Sequence, residues 1–500
     1  MITRNAHTSV IIIVLAMLSI LLSSCAPRPT FASPLPSTAT VTPTSTRTAI
    51  PTATVNPLPS ITLKPGEGYF SLNGEPAFLF SRNPAGWNPL DWETIARMAH
   101  QQGDHFVRLA TNSASMGGHN GYGYTSEGEI LEDWSDNWEH FFELAEAEGL
   151  YVMPNVGGWI DWNTTGYNTW KDNPFNSANG GPADDPHEIF KKDSPTQQLY
   201  VQWFKKVVTR WSAHRNILAW EVISEVNLIN GISQPEGIYL AEQLANAARE
   251  ADALHRPVTA SVADWSGWSD FLRSDAVEFI SLHPYSPDGK QDRYLLWEVR
   301  EYMNTYHKPI LIGESGLRAA TPDSKDGRIT LAPNARIGIR HAIWAQLVSG
   351  AMNGRALWWE DGFGVYFPGL GMPWVEKYAD VEAPVVRFVE GMDMTGFKPV
   401  PARASDRIFG AALGNETMII GWYRDASCEP PDWNLGPVVS RQTVTLTVSG
   451  TAPDWQVDFY DAQTGTDIIG STAVSRMGDT LTVILPDFTD DIAFKMHIRE

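Results

Sequence analysis

Eight short apolar runs alternate with amphipathic helical patterns between residue 69 and about residue 400. The runs predict strands at Ala77–Phe80, His105–Leu109, Leu150–Pro154, Ile217–Val222, Pro257–Val262, Val277–Leu282, Pro309–Ile312 and Ala356–Trp359. The patterns between them predict helices at Trp92–Gln102, Trp134–Glu148, Pro195–His214, Ile238–Leu254, Asp292–His307 and Ala335–Gly350. This alternation is typical of a doubly wound sheet or a (β/α)8 barrel. Because no G-x-G-x-x-G fingerprint follows the first strand and the strands number eight, we predict the α/β class and the (β/α)8 TIM barrel.

The pattern changes after about residue 400 to short alternating strands separated by turn residues. The clearest of these strands are predicted at Thr417–Tyr423, Thr443–Val448, Gln456–Tyr460, Thr480–Leu485 and Ile492–Ile498. We therefore predict a barrel domain at 61–400 and a small antiparallel β-sandwich at 401–500. We expect the second domain to pack against the barrel, with polysaccharide binding as the alternative role.

The N-terminus has the pattern of a processing segment. Arg4 precedes an apolar run from Val10 to Leu22, which is shorter than a membrane span and has the length of a signal sequence. The run closes on Leu-Ser-Ser-Cys at 22–25, which resembles the bacterial lipoprotein signal. We expect residues 1–24 to be removed and Cys25 to be lipidated. Residues 25–60, rich in Pro, Thr and Ser, would then tether the protein to the extracellular face of the bacterial cell membrane.

Composition and charge exclude several classes of partner. The formal net charge of −21 disfavours nucleic acid and polyanionic polysaccharides, because like charges repel. Cys428 is the only other cysteine, so we expect no internal disulfide and a buried thiol. His119, His140 and His187 show no metal-ligand spacing, and we predict neither a metal nor a cofactor.

Polar and aromatic residues follow nearly every predicted barrel strand. They are Arg82, Asn83, Arg108, Asn155, Glu225, His283, Tyr285, Glu314, Trp358 and Trp359. A barrel collects the C-terminal ends of its strands at one face, where chemistry takes place. Glu225 and Glu314 lie three strands apart, so both can point into one opening. Such paired carboxylates cleave glycosidic bonds, since one protonates the leaving oxygen while the other attacks or activates water.

Three strand motifs resemble those of a known enzyme family. NILAWEVISEVN (216–227), SLHPY (281–285) and PILIGESG (309–316) resemble the fourth, sixth and seventh strand motifs of retaining (β/α)8 glycosidases, most closely family 5 glycoside hydrolases. GYFSLNGEPA (68–77) resembles their opening, and RALWWEDG (355–362) resembles their eighth strand. The resemblance covers about Gly68 to Val389.

The resemblance implies a role for each matching residue. Glu225 would be the general acid/base and Glu314 the nucleophile. His283 and Tyr285 would hold the sugar and orient Glu314, while Arg108 would keep Glu314 ionised. The remaining expected contacts with substrate come from Asn155 at the third strand end and from Trp359, the platform under the reacting sugar.

Ser224 departs from the family pattern, which has Asn immediately before the acid/base, where it binds the sugar 2-hydroxyl. Serine is shorter and would need a water to reach this hydroxyl. The change predicts either an altered sugar specificity or a weakened or lost activity. We favour altered specificity, because the two carboxylates and their supporting side chains are retained.

Two long insertions carry aromatic residues among Gly, Asn and Asp. Thr111–Asp133 contains Tyr122 and Tyr124, and Val156–Ser194 contains Trp159, Trp162 and Trp170. We expect these loops to form cleft walls with aromatic subsites, with loops packed on themselves as the alternative. Trp265 and Trp268 are weaker candidates of the same kind.

The function predicted from the sequence is that of a secreted, lipid-anchored retaining β-glycoside hydrolase. Its substrate would be a neutral polysaccharide or oligosaccharide, β-glucan or β-mannan, cleaved by double displacement with two Glu residues. One alternative is a catalytically weak or inactive carbohydrate-binding surface lipoprotein. Another is a barrel enzyme of unrelated chemistry, such as an esterase, although no G-x-S-x-G elbow lies beside a strand.

Overall fold

The chain divides into two units, and the second, Leu58–Glu500, contains every described residue. A computed structural model describes residues 58–83, 92–111, 122–165, 169–263, 267–317, 321–322, 329–330, 334–358, 360 and 378–499. The predicted signal sequence, Cys25 and most of the tether therefore lie outside the described residues. Within the described ranges, no helix combines the length and the apolar character that crossing a membrane requires.

The second unit begins with a small antiparallel sheet of β1 (Ile61–Thr62), β2 (Ser71–Leu72) and β3 (Glu75–Pro76). Parallel strands follow. Those in the described residues are β4 (Leu79–Arg82), β5 (Phe106–Ala110), β6 (Tyr151–Asn155), β7 (Trp220–Glu221), β8 (Val258–Thr259), β9 (Ile280–Leu282), β10 (Ile310–Ile312) and β13 (Asn353–Arg355). Between β10 and β13 the chain forms an antiparallel pair, β11 (Thr321–Pro322) and β12 (Ile329–Thr330). Six of the parallel strands hydrogen-bond in the order β13-β4-β5-β6-β7-β8, and β9 pairs with β10. Each strand is buried, as strands covered on both faces should be.

Two further contacts join the six-stranded sheet to the β9–β10 pair. A parallel bridge between Ser261 and Ser281 links the chain after β8 to β9. On the other side, the Met352 amide donates to the Ile310 carbonyl at 2.7 Å, linking the chain before β13 to β10. The eight parallel strands are thus joined in sequence order around a ring.

Helices connect the parallel strands, and those described are α1 (Trp92–Gln102), α2 (Glu132–Ala147), α3 (Pro195–Trp211), α4 (Gln234–Ala251), α5 (Ser269–Arg273), α6 (Gln291–Tyr306) and α7 (Ala335–Ser349). A further helix, α8 (Ala383–Val389), follows the last parallel strand. Local sequence fixes several of their starts. Ser194 caps α3 by accepting from the Gln197 amide, and Ser233 with Glu236 forms a capping box at α4. The six predicted helices are all present, with ends that differ by a few residues.

The eighth predicted strand, at Ala356–Trp359, is wrong by about one strand length. The strand is β13, which carries the polar residues Asn353 and Arg355. Both are buried and satisfied: Asn353 donates to Ser81 Oγ at 2.8 Å, and Arg355 pairs with Glu382. Because polar side chains face the interior here, an apolar run does not mark the strand.

The C-terminal region, described up to residue 499, forms two antiparallel sheets. Its strands are β14 (Lys398–Val400), β15 (Ala402–Ala404), β16 (Ile408–Gly414), β17 (Met418–Asp425), β18 (Thr443–Thr447), β19 (Asp454–Asp461), β20 (Ile468–Ser475), β21 (Thr480–Ile484) and β22 (Asp491–Ile498). One sheet has the order β14-β16-β17-β22-β19-β20, and the other has the order β15-β18-β21. Side chains from both sheets share one apolar cluster, including Leu446, Val457, Leu481 and Phe494.

This C-terminal region packs against helices α6 and α7. Arg340 on α7 donates to Asp490 and Asp491, and the Trp344 indole donates to the Ala462 carbonyl at 3.1 Å. On α6, Asp292 accepts from Arg424 at 2.6 Å. Because these groups are largely buried and paired, they fix the region to the two helices.

Candidate active site

The segment after β7 positions the first candidate carboxylate. Ile217 to Trp220 are buried, as the apolar run predicts, and Glu221 ends β7. Four residues later the backbone of Glu225 adopts a left-handed conformation, with φ of 51° and ψ of 42°, before a short 3-10 helix at Val226–Leu228. This turn leaves the Glu225 side chain 16% exposed, so its carboxylate can meet a ligand.

The segment after β10 positions the second carboxylate. The amides of Gly313 and Glu314 both donate to the Leu282 carbonyl, at 2.8 and 3.2 Å. A Cβ atom at Gly313 would lie 2.1 Å from Ser281 Oγ and 3.0 Å from His283 Nε2, so only glycine fits here. This close approach to β9 brings Glu314, whose side chain is 10% exposed, beside His283.

Arg108, on β5, lies between two carboxylates. Its Nε and Nη2 donate to the two oxygens of Glu221 at 2.6 and 2.9 Å, and its Nη1 donates to Glu314 Oε1 at 3.0 Å. Burial alone would lower the pKa of Arg108, but the charges of Glu221 and Glu314 outweigh it and raise the pKa above its usual value. Arg108 therefore stays charged and contacts Glu314, as the family resemblance implies, although its bidentate partner is Glu221.

Tyr285 holds the other oxygen of Glu314. Its hydroxyl donates to Glu314 Oε2 at 2.9 Å. Burial raises the pKa of Tyr285 well above its usual value, and the charge of Glu314 adds to the effect. Tyr285 therefore remains protonated and can donate this hydrogen bond across the working pH range.

His283 contacts both candidate carboxylates, and the shorter contact is with Glu225. Its Nδ1 lies 2.8 Å from Glu225 Oε1 and 3.7 Å from Glu314 Oε1, while its Nε2 lies 3.3 Å from Arg108 Nη2. A carboxylate only accepts, so the 2.8 Å contact is a hydrogen bond from Nδ1 of His283 to the ionised Glu225. Burial works to lower the pKa of His283, but the charge of Glu314 and the hydrogen bond with Glu225 outweigh it, so the pKa is raised.

The two candidate carboxylates face one opening. An oxygen of Glu225, a ring nitrogen of His283 and an oxygen of Glu314 all lie within 4.8 Å of one another. Carboxylates whose nearest oxygens are this close can act on the same sugar residue, as a catalytic pair of a glycosidase must.

Two clusters in the described residues offer metal-ligand atoms at a suitable separation. One is Glu225, His283 and Glu314, and the other is His341, Cys428 and Asp490. In each cluster an arginine already donates to a carboxylate, namely Arg108 to Glu314 and Arg340 to Asp490. A cation placed in either cluster would face that fixed positive charge at close range, which disfavours metal binding.

The remaining site residues predicted from the sequence have different surroundings. Ser224 Oγ accepts from Arg108 Nη2 at 3.0 Å, inside the site. Asn155 is buried at the end of β6, and its Oδ1 has no hydrogen-bond partner among the described residues. Trp359 lies outside the described residues.

Two strand-end residues make hydrogen bonds with partners other than the candidate carboxylates. Arg82 pairs with Asp104 at 2.8 Å and with Glu382 at 3.1 Å, in a buried ion-pair network. Asn83 Nδ2 donates to the carbonyls of Gly313 and Ala356, which ties neighbouring strand ends together. The expectation that these strand ends supply groups to the cleft is therefore wrong for Arg82.

The aromatic residues of the two insertions pack on one another. Tyr124 lies 4.6 Å from the Phe175 ring and 4.9 Å from the Trp203 ring, between centroids. Trp162 and Trp170 stack at 5.9 Å and are both buried. Aromatic subsites at Tyr122, Tyr124, Trp162 and Trp170 are therefore wrong, because these rings are buried in the same apolar cluster as residues of the barrel strands. Trp159 is partly buried against that cluster, as is Trp268, and Trp265 lies outside the described residues.

Sequence reasoning missed two residues of the site, Glu221 and Ser261. Glu221 is fully buried, and besides its bond with Arg108 it accepts from Ser261 Oγ at 2.8 Å. The available signal for Glu221 was an acidic residue directly after a buried apolar run, in a chain that also carries Arg108 on β5, two strands away in the sheet. Ser261 carried no such signal, because nothing in its neighbourhood distinguishes it from other strand-end serines.

Solved structures with a similar fold are glycoside hydrolases. One, described as a glycoside hydrolase, has a TM-score of 0.59 and 13% identity, with 88% of this chain and 96% of the other covered. Another, a glycoside hydrolase family 5 protein from Bacteroides vulgatus ATCC 8482, has a TM-score of 0.58 and 12% identity, with 88% and 93% covered. At these identities the likeness shows the fold alone. No curated protein matches the sequence significantly.

The sequence profile of one protein family matches the barrel region. The profile is described as Cellulase (glycosyl hydrolase family 5), and it matches residues 70–347. The match confirms the resemblance that the strand motifs predicted. Because it spans more than half of the chain, the protein belongs to glycosyl hydrolase family 5, whose fold is a (β/α)8 barrel.

Proposed function

We propose that this retaining glycoside hydrolase works by double displacement, with Glu225 as general acid/base and Glu314 as nucleophile. The observation that carries the proposal is the spacing of the two carboxylates, whose oxygens approach within 4.8 Å. Both carboxylates can therefore reach one sugar residue, and membership of a retaining family supports the double displacement.

The chemistry follows from the partners of each carboxylate. The Glu314 carboxylate attacks the anomeric carbon while Glu225 gives its proton to the glycosidic oxygen, which breaks the bond to the leaving group. A water then attacks the glycosyl ester, Glu225 takes the proton of that water, and Glu314 is released. Arg108 and Tyr285 each donate to one oxygen of Glu314, which suits a group that must attack and leave as a carboxylate.

The preferred substrate class is a neutral β-linked polysaccharide or oligosaccharide, β-glucan or β-mannan. The formal net charge of −21 supports neutrality, because an acidic polymer would be repelled from the protein.

Ser224 supports a changed specificity at the sugar 2-position. Its Oγ lies 3.0 Å from Arg108 Nη2 and 3.3 Å from Ser261 Oγ, so it is held within the protein network. The two carboxylates keep their full set of partners beside it, which argues against a decayed site.

We also propose that the enzyme acts outside the cell, held to the membrane by a lipid on Cys25 and spaced from it by residues 25–60. The support is the Leu-Ser-Ser-Cys sequence at 22–25 and the Pro/Thr/Ser-rich segment after it. The two C-terminal sheets would form a β-sandwich, which their shared apolar cluster supports.

The decisive experiment identifies the nucleophile. Purified protein is incubated with 2-deoxy-2-fluoro aryl β-glycosides, which trap the glycosyl ester, and the labelled peptide is identified by mass spectrometry. We expect the label on Glu314, and we expect Glu314→Gln to lose at least 100-fold in kcat on an aryl glycoside. Digestion of a panel of β-glucans and β-mannans, with product lengths measured, then identifies the substrate.

A matched control separates chemistry from folding. Glu250→Gln removes an exposed carboxylate on α4 that contacts Lys205 at 2.7 Å, and it should keep wild-type turnover. A label on another residue, or wild-type turnover in Glu314→Gln, would refute the assignment of the nucleophile.

A further inference from the structure

Ser261, just after β8, contacts the acid/base segment with three different groups. Its amide donates to the Ile223 carbonyl at 3.1 Å, and its carbonyl accepts from the Val226 amide at 3.2 Å. Its hydroxyl oxygen accepts from the Glu225 amide at 3.1 Å. Ser261 therefore holds the chain on both sides of Glu225 and at Glu225 itself.

The backbone of Glu225 requires such restraint. Its φ of 51° lies in the left-handed region, which residues with a Cβ rarely adopt and which persists only where the surroundings impose it. The Ser261 hydroxyl is the side-chain group that meets the Glu225 amide, so it supports this conformation directly.

The direction of each hydrogen bond around Ser261 is fixed. A hydroxyl has one hydrogen, and Glu221 Oε1 at 2.8 Å is a closer and charged acceptor than Ser224 Oγ at 3.3 Å. Ser261 therefore donates to Glu221 and has its lone pairs free to accept from the Glu225 amide.

These bonds form a continuous chain between the two proposed catalytic carboxylates. The chain runs from the Glu225 amide through Ser261 Oγ, Glu221 and Arg108 to Glu314. Its interior members are all buried. These hydrogen bonds within the protein therefore link the positions of Glu225 and Glu314 without any contact from the substrate.

We propose that Ser261 is a positioning residue, which holds Glu225 in its left-handed conformation and aligns its carboxyl with the glycosidic oxygen. The inference rests on the proposed role of Glu225. Loss of the Ser261 hydroxyl removes the acceptor of the Glu225 amide and one donor to Glu221, whereas the groups that contact Glu314, on Arg108 and Tyr285, remain. Proton transfer from Glu225 to the leaving group therefore becomes less efficient, whereas the attack by Glu314 is unchanged.

The test is the dependence of the rate on the leaving group. General acid catalysis matters most for a leaving group of high pKa and little for dinitrophenolate, which departs without a proton. In Ser261→Ala we expect kcat/KM to fall about tenfold or more for aryl glycosides of poor leaving ability and to stay near wild type for the dinitrophenyl glycoside. A merely structural effect would lower kcat/KM equally for the whole series.

The control is Thr259→Val, which removes a buried hydroxyl on β8 that donates to the Phe279 carbonyl. It should leave the slope of log kcat/KM against leaving-group pKa unchanged, whatever its effect on stability. A slope for Ser261→Ala equal to that of wild type overturns the inference.

Glu225→Ala separates this inference from the proposed function. If Glu225→Ala steepens the slope and Ser261→Ala does not, only the positioning role fails. If Glu225→Ala itself leaves the slope unchanged, the assignment of the acid/base fails, and the role of Ser261 fails with it.

Discussion

Replacing Arg108 by methionine should destabilise the protein strongly. Methionine keeps a long apolar stem but removes the charge that faces Glu221, a residue with no exposed surface. Arg108 itself is only 2% exposed, and it makes hydrogen bonds of 2.6 and 2.9 Å to the two Glu221 oxygens. Removing one partner of a buried ion pair leaves an uncompensated charge, which costs about 3–5 kcal/mol.

A double-mutant cycle isolates this pair from the rest of the site. Glu221→Gln removes the other charge, and Arg108→Met with Glu221→Gln removes both. The double variant has no charge at position 221, so no buried charge is left unpaired there. Its loss of unfolding free energy should therefore be smaller than the sum of the losses in the two single variants, by about 2 kcal/mol or more. Glu314 loses a hydrogen bond of 3.0 Å wherever Arg108 is absent, so the double variant stays less stable than wild type.

Equilibrium urea unfolding, followed by tryptophan fluorescence, measures these differences. The midpoints of the four proteins, converted with a common m-value, give the coupling energy. Single costs that add within about 0.5 kcal/mol would show that Arg108 and Glu221 do not depend on each other, and would refute the reasoning.

Three further predictions test other parts of the site. The pKa of His283 is raised, so the charged form of His283 stabilises the fold fully below about pH 6.5, and this stabilisation is lost as pH rises through the folded-state pKa. The difference in unfolding free energy between wild type and His283→Asn should therefore shrink with rising pH. Urea titrations at several pH values measure it. Gly313→Ala should lower both stability and kcat, because its Cβ would lie 2.1 Å from Ser281 Oγ; wild-type thermal stability and turnover would contradict this. Burial raises the pKa of the Cys428 thiol to about 12, so with Cys25 replaced by Ser the native protein should not react with a disulfide reagent at pH 8, whereas the urea-unfolded protein should.

The strand order and the carboxylates could be predicted because buried parallel strands leave a strong signal. Seven of the eight predicted barrel strands overlap observed ones, since an apolar run is what a strand covered on both faces requires. The signal failed at β13, where Asn353 and Arg355 are buried with partners that lie far away in the sequence. No local pattern shows that such partners exist.

The loops could not be assigned from their composition. Gly, Asn and Asp around Trp162 and Tyr124 indicate a loop, but they do not show which way a ring faces. Phe175 and Trp203, which pack against Tyr124, lie about 50 and 80 residues away from it in the chain, so this ring packing forms only when distant segments meet. The same limit applies to His283, whose place in the site was predicted but whose shorter contact is with Glu225.

The packing of the C-terminal strands on α6 and α7 has a consequence for how the enzyme can be shortened. Trp344 on α7 belongs to the same apolar cluster as Leu413, Trp422 and Ala493, and the described part of residues 58–500 is one compact unit. A stop codon after residue 400 would strip the outer side of both helices and leave Arg340 without its aspartates. A shortened enzyme would therefore need polar residues on the newly exposed faces of these helices. The last hundred residues are not an independent domain that can be exchanged between enzymes.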